Sequence, residues 1–423
     1  MPMTPREWLR AYALLALRVD RQMAGSATGT VLIYRGPREW RAQVEREEPA
    51  PAGRLAEDAE ALLARLPLEP GRARYLAAQV RALRAVARRL SGRELPLPEY
   101  ARECLGIAAR WLPEEVFEQA HTLLDAALPR GTGSLTRRLH AWQAHHTLPA
   151  DRLDRLPALV DGAVAETRRR TSALVALPAD ETVRCRLVSG VPFRAAGEYE
   201  GGLRSTLHIN RDLPFNLADL LYVVAHEGHP GHIAESLLKG RLLVDEQGML
   251  DQRIRFMLGP SFVISEGLGL HAQSIVFPGD QAQTWLTDHV LGASGITPDG
   301  SDFAAVHRAQ NILFGVWANA AFLAAEGRPD AELAAYLSRW ALLSDAEAGA
   351  ALGTMRATGM ALYVLGYFHG WRLLDTWLAT SDRDARVVRL LTEQLLPADL
   401  ERADLERADL ERADTEPVEP GAS

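Results

Sequence analysis

Lysine is almost missing from this chain. Lys239 stands alone among 47 basic residues, and the rest are arginine. With abundant Ala, Leu and Gly, that skew reads as coding bias in a GC-rich genome, and it carries no claim about thermostability. Cysteine is nearly as scarce. Cys104 and Cys185 lie far apart in unrelated contexts, which argues against a disulfide framework and suits a reducing compartment. No uninterrupted apolar run approaches the 18 or so residues of a membrane span. The N-terminal MPMTPREWLRAYALLALRVD has only a short apolar stretch between Arg10 and Arg18 and no cleavage site, so a signal peptide is not expected. A concentrated basic patch is missing too. Of the net charge of −8, the residues from Pro397 onward carry −6, nine acidic against three basic, and the remainder is nearly balanced. That excludes a nucleic-acid groove and a polybasic membrane-binding face. The expected place is the cytoplasm.

What is present is ordinary globular material. Apolar residues make up 47% of the 423 residues and charged residues 24%, enough for a large core. Residues 1–180 read as successive amphipathic helices, for example over 57–66, 72–90, 113–128 and 151–177. Residues 181–395 form a second region that is continuous with the first. It opens with two or three short strands over 182–212, where alternation and paired glycines replace the helical period. Asn216 is a plausible cap for the helix that follows. Further helices are expected near 262–276, 281–291, 301–325, 330–343, 345–353 and 357–378. The fold class is therefore mainly α, with helices in two lobes around a cleft and a small β element. Residues 396–423 are a low-complexity tail of tandem ADLER repeats. A five-residue period never aligns Leu400, Leu405 and Leu410 on one helical stripe, so fraying or disorder is expected there.

The segment AHEGHPGH, Ala225 to His232, is where chemistry concentrates. Three histidines and a glutamate at the end of an apolar helix are costly to bury without a partner. His226 and Glu227 are adjacent, as in helices where one residue ligates a metal and the next activates water. Glu266, in ISEGLGLHAQ, has the chemistry of a distant third ligand. The spacing is unusual. Zinc-protease helices carry His-Glu-x-x-His, but the residue four after His226 is Pro230. Residues i and i+6 of an unbroken helix point about 240° apart. Pro230 and Gly231 could form a bulge that brings His232 back to His226. The other reading pairs His226 with His229 on one helical face. Glu235, one turn beyond His232, is a candidate to orient that ligand. His121, His140, His145, His146, His289 and His307 read as surface or satisfied core residues.

The pattern His-Glu-x-x-Pro-Gly-His followed by a Glu-Gly helix resembles a bacterial family known as domain of unknown function 885, itself similar to helical gluzincin-type zinc metallopeptidases. The segments WLPEEVFEQAHTLLDAALP (111–129), ETRRRTSALVALPADE (166–181), EYEGGLRSTLHINRDLP (198–214) and ALYVLGYFHGWRLL (361–374) also resemble that family, so the likeness runs from about 100 to 380. It implies His226, His232 and Glu266 as metal ligands and Glu227 as general base. It also implies Tyr363 as an oxyanion donor; His369 and Arg372 share that helix and are candidates to bind a substrate carboxylate, with His369 an alternative to Tyr363 for the oxyanion. His229 stands where the family is often aromatic or apolar. His271 and Gln273 stand where it often has tyrosine and glutamate, and His271 is placed behind the ligands.

These readings together anticipate a Zn2+-dependent hydrolase, a peptidase or carboxypeptidase for short peptides. Manganese, iron or cobalt also suit the ligands. The strand through Leu207–Asn210 is expected to take an extended substrate along its edge, with His208 and Asn210 in contact and Gly201 and Gly202 allowing close approach. The alternatives are a metal hydrolase of a non-peptide amide or ester, and a metal-binding or interaction protein without turnover.

Overall fold

The computed structural model describes residues 3–24, 31–357 and 359–402, and every structural statement below concerns these. The fold is mainly helical with a small β element. Eight helices precede the sheet: α1 (Pro5–Met23), α2 (Arg38–Arg46), α3 (Ala52–Leu63), α4 (Pro70–Leu90), α5 (Leu97–Leu105), α6 (Glu115–Ala127), α7 (Leu135–His146) and α8 (Leu156–Thr171). α1 begins on a capping box. The Thr4 side chain accepts from Glu7 N–H, and the Glu7 carboxylate accepts from Thr4 N–H. Its buried stripe of Trp8, Tyr12, Leu15, Val19 and Met23 follows the helical period. The apolar run near the N-terminus is therefore part of the core.

The strands are β1 (Leu32–Tyr34), β2 (Thr182–Val188), β3 (Ala195–Gly201), β4 (Arg204–Asn210) and β5 (Ile254–Phe256). β2, β4 and β3 form one sheet in that order, with β4 parallel to β2 and antiparallel to β3. This corrects one expectation. β4, which contains Leu207–Asn210, is the central strand and has no free edge. β3 is the edge strand on the side of the helix that carries His226. The β1–β5 pair was not foreseen, because three residues are too few for a period-two signal. It ties the N-terminal helices to the second region, with Leu32 opposite Phe256.

Nine helices complete the chain: α9 (Leu220–Glu227), α10 (His232–Lys239), α11 (Pro260–Val276), α12 (Gln281–Leu286), α13 (Phe303–Ala325), α14 (Asp330–Trp340), α15 (Asp345–Arg356), α16 (Met360–Trp377) and α17 (Arg383–Thr392). α11 is buried along nearly its whole length. Its contact with α16 is closer than side chains allow. A Cβ on Gly267 would sit 2.5 Å from the Gly370 carbonyl oxygen, and one on Gly370 would sit 2.3 Å from that of Val263. No described helix is long and apolar enough to cross a membrane.

The first ADLER copy does not fray. Residues 397–402 are helical, Leu400 is fully buried, and Asp399 pairs with Arg74. The expectation of a frayed or disordered tail fails here because Leu400 finds the core even though the later leucines cannot share its stripe. The remaining copies lie outside the described residues.

Candidate metal centre

The helix that carries His226 stops one residue later. α9 ends at Glu227, α10 begins at His232, and the His229–Pro230 peptide bond between them is cis. The turn is too tight for any residue but glycine at 231, since a Cβ there would lie 1.8 Å from the His226 carbonyl oxygen. The chain thus breaks into two helices, where a bulge within one helix was expected. The consequence for the histidines is the one anticipated. The His226 and His232 rings meet edge to face, with centroids 4.8 Å apart. Glu266 of α11 reaches both: its Oε2 is 3.4 Å from His226 Nε2 and its Oε1 is 3.5 Å from His232 Nε2. One donor atom from each of the three lies within 4.8 Å of the others.

This donor set fits a divalent metal. Two imidazoles and a carboxylate are ligands that zinc takes in open sites. Glu266 is 1% exposed, and its Oε2 is buried without a hydrogen-bond partner. Such an atom calls for a ligand that satisfies it. The tautomer of His232 is set from behind. Ser265 Oγ donates to Glu235 Oε2 at 2.5 Å, so it must accept from His232 Nδ1–H, 3.1 Å away. That leaves Nε2 facing Glu266. Burial disfavours a charge on His232, but Glu266 outweighs it and the pKa is pushed up to about 9. Burial likewise opposes charge on Glu266, yet the two histidines, His232 foremost, hold its carboxyl down at about 2. A metal binding at neutral pH must therefore displace a proton from His232.

Glu235 is buried beneath this group and reaches His232 through Ser265 rather than directly. Its carboxylate accepts from Lys239 Nζ at 2.8 Å and Arg255 Nη2 at 3.0 Å. The chain's single lysine is thus spent on the support of one imidazole.

Gly269, one turn beyond Glu266, is the shelf on which His226 rests. A Cβ there would lie 2.6 Å from the imidazole ring. Gly269→Ala is expected to push His226 off its position and weaken metal binding by roughly 10- to 100-fold, with the helical circular dichroism kept. Unchanged affinity in a metal titration would contradict this role.

Glu227 is half-buried at the end of α9, and its Oε2 accepts the Gly197 N–H at 2.8 Å. Gly197 is the glycine of close approach, because a Cβ there would lie 2.2 Å from the Glu227 carbonyl oxygen. Gly201 and Gly202 do not have that role. They turn β3 into β4 with φ of +100° and +62°, which glycine adopts without strain. His208 and Asn210 both have partners within the sheet region. His208 pairs across the sheet with Glu198 at 2.9 Å, and the Asn210 amide ties down the Val191 and Phe193 carbonyls at 3.0 Å each.

Over the site lie two tyrosines of α16. The Tyr363 and Tyr367 hydroxyls are 3.2 Å apart, and the Tyr367 ring lies nearly parallel to His226 with centroids 6.3 Å apart. Burial first, then the nearby Glu266 carboxylate, pushes both phenol pKa values well up, so both remain proton donors. Tyr367 was missed from the sequence, although its i+4 spacing from Tyr363 puts the two on one face. Tyr222, one turn before His226, was missed as well. Its hydroxyl meets Asn311 Oδ1 at 2.6 Å, and its ring stacks on His307.

Four expected residues lie elsewhere. His369 is about 200° around α16 from Tyr367. Burial and Arg372 lower its pKa to about 4, and no residue of the metal centre contributes. Arg372 is exposed. His271 stacks on Trp371 and bonds its carbonyl oxygen at 2.9 Å, pinning α11 to α16. His229 is fully buried against Glu181 at 3.0 Å, which removes it as an alternative ligand.

No protein-family model matches the chain, and no curated protein does. Solved structures match the chain, two of them as follows. A candidate lipoprotein from Colwellia psychrerythraea has 14% identity and a TM-score of 0.52 over 85% of this chain and 68% of its own. A candidate lipoprotein of unknown function from Shewanella oneidensis has 10% identity and a TM-score of 0.47 over 86% of this chain and 76% of its own. The Colwellia protein shares the fold, and at this identity the likeness extends to nothing further.

Proposed function

We propose that this protein is a zinc-dependent hydrolase that cleaves short peptides, with His226, His232 and Glu266 holding the metal. The observation that carries the reading is the convergence of these donors with a carboxylate outside the donor set, Glu227, and two half-buried phenols. A purely structural metal needs neither. When bound, the metal supplies Lewis acidity and lowers the pKa of its water to ~7. Glu227, held at Oε2 by Gly197 N–H, takes the proton of the attacking water and returns it to the leaving amine. Tyr363 and Tyr367 donate to the oxygen that turns negative. β3 suits an extended chain. Asn210 N–H pairs with Arg194 O, so by alternation Ala195 and Gly197 turn their backbone groups away from β4; Gly197 N–H is taken by Glu227, and the Ala195 groups are the ones offered to a substrate strand.

The test is digestion of a short-peptide library by zinc-loaded protein, beside aryl esters and small amides. The account expects new peptide N-termini, and on the order of 10²-fold slower turnover in Tyr367→Phe. Hydrolysis of esters or small amides alone would replace the peptide substrate, and no hydrolysis with the metal bound would end the reading. The compartment proposed is the cytoplasm, which suits two cysteines that remain free.

A further inference from the structure

We propose that His145, His146 and Asp299 form a second metal site, of the kind that takes zinc or another borderline divalent transition ion. One donor atom from each lies within 4.8 Å of the others. The two histidines close α7, and Asp299 comes from the loop that leads into α13.

Each imidazole has one nitrogen already used and one left over. His146 Nδ1 is 2.9 Å from the Trp142 carbonyl oxygen, so it carries the proton and Nε2 carries the lone pair. That Nε2 is buried and has no hydrogen-bond partner, in a residue only 1% exposed. His145 Nε2 lies 2.9 Å from the Thr297 carbonyl oxygen, which leaves Nδ1 as its donor. The rings stand edge to face with centroids 4.8 Å apart. Asp299 is held by Ser301, whose N–H and Oγ–H both reach Oδ1, at 3.0 and 2.5 Å. Ser301 Oγ in turn accepts from Trp142 Nε1 at 2.9 Å. Oδ2 is left for the metal. Backbone carbonyls behind each histidine and a hydroxyl behind the carboxylate are the supports that metal ligands take. The C-terminal end of α7 also favours a cation.

The site ties the end of α7 to the loop before α13. Beside it, Thr147 bridges Asn216, and Leu148 N–H bonds the Phe215 carbonyl at 2.8 Å. Asn216 caps the turn that opens into α9. A cation here braces the approach to the helix of His226 without taking part in its chemistry.

The experiment counts zinc on the full chain after dialysis against micromolar zinc. Variants are His145→Ala and Asp299→Asn, which spare the buried His146, and Glu266→Gln at the other centre. The expected count is two equivalents on wild type and one on each variant. Nitrogen-15 spectra should place zinc on Nδ1 of His145 and Nε2 of His146. Wild-type counts in both His145→Ala and Asp299→Asn would overturn the proposal, as would a second equivalent that binds only at millimolar zinc. A single wild-type equivalent lost in Glu266→Gln alone would overturn it and leave the hydrolase reading intact. A single equivalent lost in Asp299→Asn alone would do the reverse.

Discussion

Glu227→Gln keeps its zinc and loses turnover by on the order of 10³-fold. The substitution preserves shape, and the amide oxygen still accepts from Gly197 N–H, where the carboxylate now accepts at 2.8 Å. Glu227 lies outside the donor set of His226, His232 and Glu266, so the metal count should not change. What disappears is the base. The loss should fall on kcat, with KM little altered, because no substrate contact is removed. Steady-state kinetics on the best library peptide, beside metal analysis of the same preparation, make the comparison. A fully active variant would remove Glu227 from the mechanism.

Glu235→Gln is expected to cost roughly 3 kcal/mol of stability at pH 7, and to weaken metal binding. Glu235 is 2% exposed and bonds Lys239, Arg255 and Ser265. The variant leaves two cations without their counter-charge and takes away the acceptor that orients Ser265 behind His232. The pH dependence has a definite sign. Burial would raise the Glu235 carboxyl, but Arg255 and Lys239 hold it well below its ordinary value of 4.5. Its contribution is therefore present in full above that value and fades as pH falls below it. Urea unfolding at pH 7 and pH 4 should show a gap between wild type and variant that narrows in acid. Equal midpoints at pH 7 would contradict the role.

Some of this site was legible in the sequence because its signal is local. Pro230 and Gly231 make a helix stop, and a stop is what lets residues six apart converge. Other parts needed the fold. The importance of Gly197 and Gly269 lies in what a Cβ would strike, and those atoms are 30 or more residues away in the chain. Strand alternation indicates which residues share a face, but not which strand is central, so the expected edge at His208 and Asn210 is in fact paired on both sides, and Gly201 and Gly202 form the turn beside it. The position of His369 is legible in the sequence. A count of 100° per residue already turns it away from Tyr363 and Tyr367. His145 and His146 read as ordinary because Asp299, which completes the group of three close donors, arrives from a loop some 150 residues on.

The central claim is the identity of the metal ligands. The most direct test is zinc content by mass spectrometry on wild type and on His226→Ala, His232→Ala, Glu266→Ala and His229→Gln. The account predicts that the first three each lose one equivalent relative to wild type and that His229→Gln keeps the full count. Loss at 229 with retention at 232, or a wild type that takes up no zinc when it is supplied, would contradict it.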